Sequence, residues 1–415
     1  MAPGGTGVKN FWDLLMAGQS ATRTISLFDA SPFRSRIAAE VQLDPDAAES
    51  IGRASGRPAD REMDRMTQLA VISGTEAMAD SGLEQGDFVP ERAGVVLGSA
   101  VGCTISLENV YVQVSSTGQN WLVDEAAVDG DLYSYLVPSS AVRDLAWSVG
   151  AEGPATMIST GCTAGIDAVS QGCQLISEDR ADVVIAGAAE APISPITVAS
   201  FDAIRATTDA NDDPGHASRP FDLNRKGFVL GEGAAVFVIE KEEAARRRGA
   251  HIYCEIAGTA GRANAFHMTG LRRDGAEMSQ AIDEALRQAQ LAPDRVDYVS
   301  AHGSGTVQND RHETSALKRS LGHWAYQTPV SSIKSMIGHS LGAIGAIEIA
   351  ACALTLENQA VPPTANLQTP DPECDLDYVP NVARDHRVDT VLTVGSGFGG
   401  FQSAMVLTKP RGTHQ

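Results

Sequence analysis

Two distant stretches of the chain repeat the same order of hydrophobic patterns. Apolar and small residues recur at helical spacing over residues 66–77, and the apolar run 94–97 follows them. The same order returns later, with a helical stripe over residues 278–289 and an apolar run over 296–301. Each pattern predicts a helix followed by a buried strand. The chain therefore contains two copies of one β-α arrangement.

A second repeat follows in each half. The apolar run 155–160 leads into Gly161-Cys162 and an alanine-rich helical pattern, and the run 329–333 leads through a short loop to Gly338-His339 and another helix. Strand followed by helix in matching order predicts a duplicated, layered α/β fold. If a pseudo-two-fold axis relates the halves, Cys162 and His339 occupy corresponding helix N-termini and face one cleft.

Apolar runs without alternation, such as 182–187 and 391–395, predict strands buried on both faces in two central sheets. The chain has 415 residues, of which 43% are hydrophobic, and that is ample material for a large core. No Pro/Ser-rich linker interrupts it. We predict one fused body whose halves are residues 1–255, carrying the cysteine nucleophile, and 256–415, carrying two histidines.

Charge and cysteine content exclude several classes of function. The formal net charge of -20 argues against binding nucleic acid, which requires clustered Lys and Arg. Six cysteines without a C-x-x-C pair argue against a zinc knuckle or a disulfide framework and suit a reducing compartment. The first seven residues contain no apolar signal region, and no later stretch reads as membrane-spanning. We expect a cytoplasmic protein that does not bind membranes.

Cys162 is the candidate nucleophile. It lies in G-C-T-A-G, where a predicted strand turns sharply into a helix, and Gly161 and Gly165 permit that turn. Free N–H groups at a helix N-terminus stabilise a thiolate, so we expect a lowered pKa at Cys162. The alternative is a small buried apolar side chain, which is our interpretation of Cys173, Cys254 and Cys352.

Two glycine-flanked histidines follow strands and are the candidate partners of Cys162. His302 occurs in A-H-G-S-G-T and His339 in K-S-M-I-G-H-S-L-G-A-I-G, where each ring could donate an N–H to a ligand. Lys334 closes the preceding strand. Its apolar neighbours predict burial and therefore an anionic partner, for which Glu313 and Asp310 are the candidates.

Two other uses of these residues were weighed. A metal site is disfavoured because the sequence has no H-E-x-x-H, and D-R-H-E spreads its side chains around a helix. The glycine-rich run after Val394 reads as a hairpin. Its functional alternative is that the Phe398 backbone N–H joins that of Cys162 as an oxyanion hole, while the ring gates the cleft.

At these residues the sequence closely resembles the beta-ketoacyl synthases, and specifically the alpha subunits of bacterial type II polyketide ketosynthases. The resemblance runs from Ala2 nearly to Val406. It is carried by the motifs S-T-G-C-T-A-G, N-D-D-P-G-H-A-S-R-P-F-D, G-F-V-L-G-E-G-A-A, A-H-G-S-G-T, N-D-R-H-E-T, S-S-I-K-S-M-I-G-H-S-L-G-A, P-D-P-E-C-D-L-D-Y-V-P and G-S-G-F-G-G-F. It implies a thiolase-like fold with five layers, αβαβα.

The resemblance also implies roles. Cys162 would accept an acyl chain from acyl carrier protein, and His302 and His339 would assist decarboxylation of malonyl carrier protein. Lys334 and Glu313 match family positions that support the histidines. Substrate-contacting positions, including those that meet the phosphopantetheine arm, are matched by Ser304, Thr306, Phe228 and Gly399. No cofactor beyond that arm is implied, and no metal.

The implied partners are acyl carrier protein and a beta subunit, the chain-length factor, in a heterodimer. Such beta subunits usually have Gln at the nucleophile position, so Cys162 places this chain on the catalytic side. Residues 121–137, with Trp121, Leu132, Tyr133, Tyr135 and Leu136, are a candidate interface, and ordinary core is the alternative. Arg272 and Arg273 are candidates for docking the carrier protein, with a solvated loop as the alternative reading.

Two alternatives stay open: a homodimeric fatty-acid ketosynthase and a non-catalytic subunit similar to the chain-length factor. Relatives have a short strand before Ala2, and this sequence begins at Met1, where that strand would end, so we expect either a sheet without that edge strand or a misassigned start. Ala164 stands where aromatic-polyketide relatives often have Ser, a difference that could mark another product class. Starter unit and chain length are not encoded in any motif.

Overall fold

The computed structural model describes residues 1–43, 63–120, 124–128 and 130–410. Within them, the apolar runs predicted as strands form strands. The long strands Gly233–Glu240, Glu255–Ala263 and Phe401–Thr408 and several two- or three-residue strands were not predicted. In chain order the strands are β1 (Arg23–Thr24), β2 (Ile37–Ala39), β3 (Ala93–Gly98), β4 (Ala155–Ile158), β5 (Val183–Glu190), β6 (Leu230–Gly231), β7 (Gly233–Glu240), β8 (Glu255–Ala263), β9 (Tyr298–Ser300), β10 (Val330–Ser331), β11 (Ala360–Val361), β12 (Arg384–Asp385), β13 (Thr390–Gly397) and β14 (Phe401–Thr408).

The predicted helical stripes form helices with their apolar residues buried. The helices are α1 (Val8–Ala17), α2 (Arg65–Ser81), α3 (Thr104–Val114), α4 (Asp131–Leu136), α5 (Ser139–Val149), α6 (Ala164–Ser177), α7 (Pro195–Ala203), α8 (Glu242–Arg247), α9 (Ala276–Ala289), α10 (Val307–Leu321), α11 (Lys334–Ile337) and α12 (Ile344–Asn358). In α9, for example, Met278, Ile282 and Ala285 share the buried face.

The two main sheets have matching topologies. The first has the strand order β4-β3-β5-β7 and the second β10-β9-β13-β14-β8. In each, three strands run parallel, and the fourth, β7 or β14, is antiparallel to its neighbour. Position by position, β4, β3, β5 and β7 correspond to β10, β9, β13 and β14. The predicted duplication is confirmed.

Helices separate and cover the sheets in five layers. Helices α2 and α5 pack on the outer face of the first sheet, α6 and α12 lie between the sheets, and α9, with α10 beside it, covers the second sheet. Because α12 contacts both sheets, it is apolar nearly all round. Residues Leu341–Asn358 consequently have the length and hydropathy of a membrane span, contrary to our reading, yet 83% of them are buried inside the protein.

The two sheets differ at one edge. In the second sheet β8 covers β14 along its whole length. In the first, among the described residues, Met1 alone pairs with that edge of β7, exchanging two hydrogen bonds of 3.0 and 2.9 Å with Ala234. An apolar groove of about 590 Å³ lies beside it. Cys173 and Cys254, expected in the core, are half-buried in this groove.

The structure corrects the end of one predicted strand. Strand β10 covers only Val330–Ser331, and Lys334 begins helix α11 instead of closing the strand. The strand ends early because Ser332 does not continue the sheet hydrogen bonds. Its N–H donates to Thr364 Oγ1 and its hydroxyl to the Gly303 carbonyl. This turn directs the Lys334 side chain into the protein.

Candidate active site

Cys162 lies where β4 turns into α6. A single 3-10 turn, Gly161–Thr163, continues directly into the helix, and Gly161 adopts φ 62°, a left-handed conformation suited to glycine. Gly165 lets the two middle helices cross closely, because a Cβ there would lie 2.4 Å from the Ala346 nitrogen. The predicted sharp turn is confirmed, and it leaves the Cys162 sulfur half-buried at the joint.

His302 follows β9, and buried ionisable groups hold its backbone. The Glu313 carboxylate accepts the N–H groups of His302 and Gly303 at 2.6 and 2.8 Å. On the other side, Lys334 Nζ donates to the His302 carbonyl oxygen. Glu313 and Lys334 therefore fix this loop through the peptide groups and not through the imidazole.

The anionic partner of Lys334 is Glu348, on α12, and both side chains are buried. The predicted pairing with Glu313 or Asp310 is wrong. The Asp310 carboxylate forms an ion pair with Arg225 at 2.9 Å and accepts the Phe221 N–H. Glu348 was missed because it lies in a sequence that is otherwise the apolar interior of a helix.

His339 is held in one tautomer. The Leu341 N–H donates to His339 Nδ1 at 3.2 Å, so Nδ1 accepts and the proton of the neutral ring lies on Nε2. The ring makes edge contacts with the rings of His302 and Phe228, with centroids 5.3 and 5.1 Å away. The two histidines predicted from separate motifs therefore meet.

Most of the predicted residues line one pocket of about 210 Å³. Its lining includes Cys162, Phe228, His302, Ser304, Thr306, His339 and Phe398. Glu313 and Lys334 lie behind it. Gly399 follows Phe398 in the β13–β14 hairpin without lining the pocket, and its N–H donates to the Met268 carbonyl at 2.6 Å.

The pseudo-symmetry differs in one detail from our expectation. The 3-10 turn Gly161–Thr163 before α6 corresponds to Leu341–Ala343 before α12. Cys162 is therefore matched by Gly342, and His339 lies three residues earlier. The two groups face one cleft because the loop after α11 extends back toward the other half.

Sequence reasoning missed several lining residues, among them Phe201, Arg205 and Asn309. Phe201, on α7, lies between the rings of Phe228, which it meets edge-on, and Phe398, with centroid distances of 5.5 and 6.4 Å. No motif surrounds Phe201, so it could not be identified from the sequence. Asn309 lies inside N-D-R-H-E-T, and its buried amide donates to Glu313 at 3.4 Å while its carbonyl oxygen has no protein partner among the described residues. Its motif could have identified it.

Burial raises the pKa of the Cys162 thiol to about 12. The positive charge of Lys334 and the Phe398 backbone N–H act in the opposite direction, and the carboxylate of Glu190 adds to the rise. The expected lowering by the helix end is wrong, because the cost of placing a thiolate in the interior exceeds those favourable effects. The resting group is a thiol.

Both imidazoles are neutral near pH 7. Burial, and after it the charge of Lys334, holds the pKa of His302 and that of His339 well below the ordinary value of 6.5. For His339, burial and the charge of Lys334 are the two causes. A neutral imidazole still carries one N–H, and that N–H can donate a hydrogen bond to a developing negative charge.

The raised pKa of Cys162 predicts how alkylation by iodoacetamide depends on pH. Since the thiolate reacts and the pKa lies near 12, the rate at Cys162 should rise about tenfold per pH unit from pH 7 to 10. Peptide mass spectrometry separates Cys162 from the other five cysteines. A plateau between pH 7 and 9 would contradict the raised pKa.

The described part of the chain contains no group of three or more His, Cys, Asp or Glu side chains placed to hold a metal ion. In the D-R-H-E segment, the side chains point apart. His312 Nδ1 faces the Arg272 carbonyl, whereas Glu313 faces the His302 loop.

Models of two family domains match the chain. The model of the beta-ketoacyl synthase N-terminal domain matches residues 1–245, and that of the C-terminal domain matches residues 253–368. Together they cover most of the sequence, including the positions of Cys162, His302 and His339.

Curated relatives match nearly end to end. The tetracenomycin polyketide synthase ketoacyl synthase alpha subunit of Streptomyces glaucescens is 63% identical over 99% of this chain and 96% of its own length. The 3-oxoacyl-[acyl-carrier-protein] synthase 2 of Coxiella burnetii is 38% identical over the same shares of the two chains.

Solved structures agree. One chain superposes with a TM-score of 0.91 at 37% identity, covering 98% of this chain and 96% of its own length. It comes from the structure of a type II polyketide synthase acyl-carrier protein in complex with its ketosynthase bound to the hexaketide. The ishigamide ketosynthase/chain length factor gives a TM-score of 0.88 at 31% identity, covering 99% and 97%. The fold is thiolase-like, and the chain belongs to the beta-ketoacyl synthase family.

Proposed function

We propose that this protein is the catalytic alpha ketosynthase of a type II polyketide synthase, which extends an acyl chain on Cys162 by decarboxylative Claisen condensation with malonyl carrier protein. The observation that carries the proposal is the meeting of Cys162, His302 and His339 in one pocket. The relatives named as polyketide ketosynthases support the substrate class.

In the first step the Cys162 sulfur attacks the thioester carbonyl of an acyl carrier protein. The sulfur–carbon bond to Cys162 forms, the carbon–sulfur bond to phosphopantetheine breaks, and the thiol proton passes to the departing sulfur. The Phe398 N–H, already directed at the Cys162 sulfur, and the Cys162 N–H are the oxyanion donors. With a thiol at rest, proton loss accompanies the attack.

In the second step the malonyl thioester loses CO₂. The bond between its C2 and its carboxylate breaks, and the electron pair forms an enolate whose oxygen accepts N–H bonds from neutral His302 and His339. C2 then attacks the Cys162 thioester carbonyl. The new carbon–carbon bond forms, the Cys162 thiolate leaves and takes up a proton, and the lengthened β-ketoacyl chain stays on the carrier protein.

The phosphopantetheine arm supplies the only group the reaction needs besides the protein. Ser304 and Thr306 line the pocket, and their hydroxyl oxygens lie 3.0 Å apart, so either can form a hydrogen bond with an amide of the arm.

Arg272 and Arg273 are less free to dock an acidic carrier protein than we expected, since Arg272 pairs with Glu277 and Arg273 with Glu373. Arg205 is exposed and lines the pocket, which suits the arm's phosphate.

Two exposed features support a heterodimer with a chain-length factor. Strand β4 is the outer strand of its sheet, and Ala155 and Thr156 are exposed, whereas the corresponding β10 is buried. In the candidate interface, Tyr133 is 68% and Leu136 61% exposed, although Tyr135 is buried. Trp121 lies outside the described residues. An uncovered strand edge with exposed aromatic and apolar side chains is typical of a protein interface.

Replacing Tyr133 and Leu136 by Glu should weaken binding to the beta subunit at least about tenfold, because charges at the centre of an apolar interface lose their hydration. Co-purification of tagged subunits measures the effect. Val382→Glu is the matched control, since Val382 is 74% exposed in the other half of the protein. Unchanged co-purification of the double variant would place the interface elsewhere.

The function is tested by mass spectrometry of the Cys162 peptide after incubation with acyl carrier protein. An acyl adduct at Cys162, followed by a two-carbon longer product once malonyl carrier protein is added, supports the proposal. No adduct would favour a non-catalytic subunit. Extension without any beta subunit would favour a homodimeric fatty-acid ketosynthase. The relative named 3-oxoacyl-[acyl-carrier-protein] synthase 2 is 38% identical to this chain, whereas the polyketide alpha subunit is 63% identical.

We also propose that the two halves divide at residue 255, the first residue of β8, where the chain passes from the first sheet to the second. The six cysteines are free in the structure, which supports a reducing compartment such as the cytoplasm.

A further inference from the structure

A buried carboxylate joins the two halves of the protein directly behind the pocket. Glu190 ends β5 and is completely buried. Its oxygens accept the Ser99 hydroxyl at 2.7 Å and the N–H groups of Ala100 and Val101 at 2.5 and 3.3 Å, all from the loop after β3. They also accept the N–H of Gly342, from the other half, at 3.0 Å.

The loop contributed by the other half is tightly constrained. A Cβ at Gly342 would lie 2.4 Å from the Ala100 nitrogen and 2.6 Å from Glu190 Oε2, so only glycine allows this approach. The preceding Leu341 is buried with φ 45°, a costly conformation for a residue with a side chain. Such a conformation persists only where the surroundings hold it, and Glu190 is the group that anchors the next peptide.

This strained residue supplies the N–H that fixes His339. Leu341 donates to His339 Nδ1, which leaves the Nε2 proton for the pocket. We propose that Glu190 is a positioning residue for condensation: by holding the turn at Leu341 and Gly342, it keeps His339 in the tautomer that donates to the enolate. The inference rests on the proposed function and deepens it.

Glu190 has a second, opposing influence. The charged groups that act on the Cys162 thiol are Lys334, Glu190 and Glu348, and both carboxylates raise its pKa. Burial raises the pKa of Glu190 itself to about 7, against the donors that favour its anion. The same side chain thus positions the histidine and makes the thiolate harder to form. The two effects can be separated experimentally.

Glu190→Gln keeps the shape of the side chain but turns amide hydrogens toward N–H donors. We expect kcat for condensation to fall about tenfold or more, as for a buried hydrogen bond left unmade, while KM for malonyl carrier protein stays within about twofold. Alkylation of Cys162 should shift to lower pH, because a negative charge is removed. Because water admitted by a loosened fold would also lower the pKa of the thiol, the alkylation profile of the buried Cys352 should stay as in the wild type.

Glu190→Asp separates charge from reach. It keeps the carboxylate but is one methylene shorter, so kcat should fall while the alkylation profile stays as in the wild type. Asp222→Asn is the matched control: Asp222 is also fully buried and accepts three backbone N–H groups, from Asn224, Gln368 and Thr369, but does not line the pocket. Both of its readouts should match the wild type.

If Glu190→Gln fails to fold, Ser99→Ala removes one of the four hydrogen bonds and should lower kcat about two- to fivefold without moving the alkylation profile. Wild-type kcat in folded Glu190→Gln, or an equal loss in Asp222→Asn, would overturn the inference. Absence of condensation in the wild type, assayed in parallel with both partners, would instead contradict the proposed function.

Discussion

Replacing Cys162 by Gln is expected to abolish chain elongation, by at least about a thousandfold, while the fold stays intact. The covalent acyl intermediate requires the sulfur, and no other nucleophilic group with comparable placement lines the pocket in the described part of the chain. The substitution places a neutral side chain of moderate size at a half-buried position, so the melting temperature should change little. Product formation from malonyl carrier protein and the Cys162 acyl adduct are the two measurements.

Cys173→Ala is the matched control for Cys162→Gln. Cys173 lies on the same helix, α6, is also half-buried, and carries a thiol whose pKa is likewise raised to about 12 by burial. It faces the groove beside β7 and not the pocket. Cys173→Ala should therefore elongate normally. Continued elongation by Cys162→Gln would remove Cys162 from the mechanism.

The second large effect is expected at His339. Substitution by Gln or by Asn tests its two ring nitrogens separately. The amide of Gln reaches about as far as Nε2 and can still donate into the pocket, whereas that of Asn ends near Nδ1, beside the Leu341 N–H. Loss of one oxyanion donor costs about a hundred- to a thousandfold in rate. His339→Asn should therefore lose malonyl decarboxylation to that extent, and His339→Gln should retain more.

Acylation of Cys162 is the internal control for the His339 variants. The proposed oxyanion donors of that step are backbone N–H groups of Cys162 and Phe398, so both variants should still form the acyl adduct. Stopped CO₂ release with normal adduct formation is the expected pattern. If His339→Asn decarboxylates as fast as the wild type, the Nε2 proton is not the group that stabilises the enolate.

The layered fold could be predicted because local patterns and buried environments agree. The helical stripe beginning at Met66 and the apolar run 94–97 became α2 and β3, and their later counterparts became α9 and β9. Apolar periodicity is imposed by the core, so it survives in the sequence. Short pairs such as β1–β2 and β11–β12 have no such pattern, since their two or three residues are set by contacts distant along the chain.

The reacting groups could also be identified, because flanking glycines mark Cys162 and His302 after strands and His339 after the short helix α11. Their supporting charges could not. Glu348 supports Lys334 from within an apolar helix, and Glu190 reaches Gly342 across 152 positions of sequence. The thiol pKa was wrongly predicted for a related reason. A helix end is visible in a motif, but the burial that outweighs it is a property of the whole fold.

The unequal edges of the two sheets bear on how this protein should be handled in the laboratory. Met1 is aligned antiparallel to Ala234, so any residues placed ahead of it, a purification tag included, would run along this side of β7 toward Glu240 and over the apolar groove. An apolar tag would dock there as an added strand, and a charged one would leave the backbone groups of β7 free to recruit other molecules. The choice of vector is thus a structural variable for this enzyme.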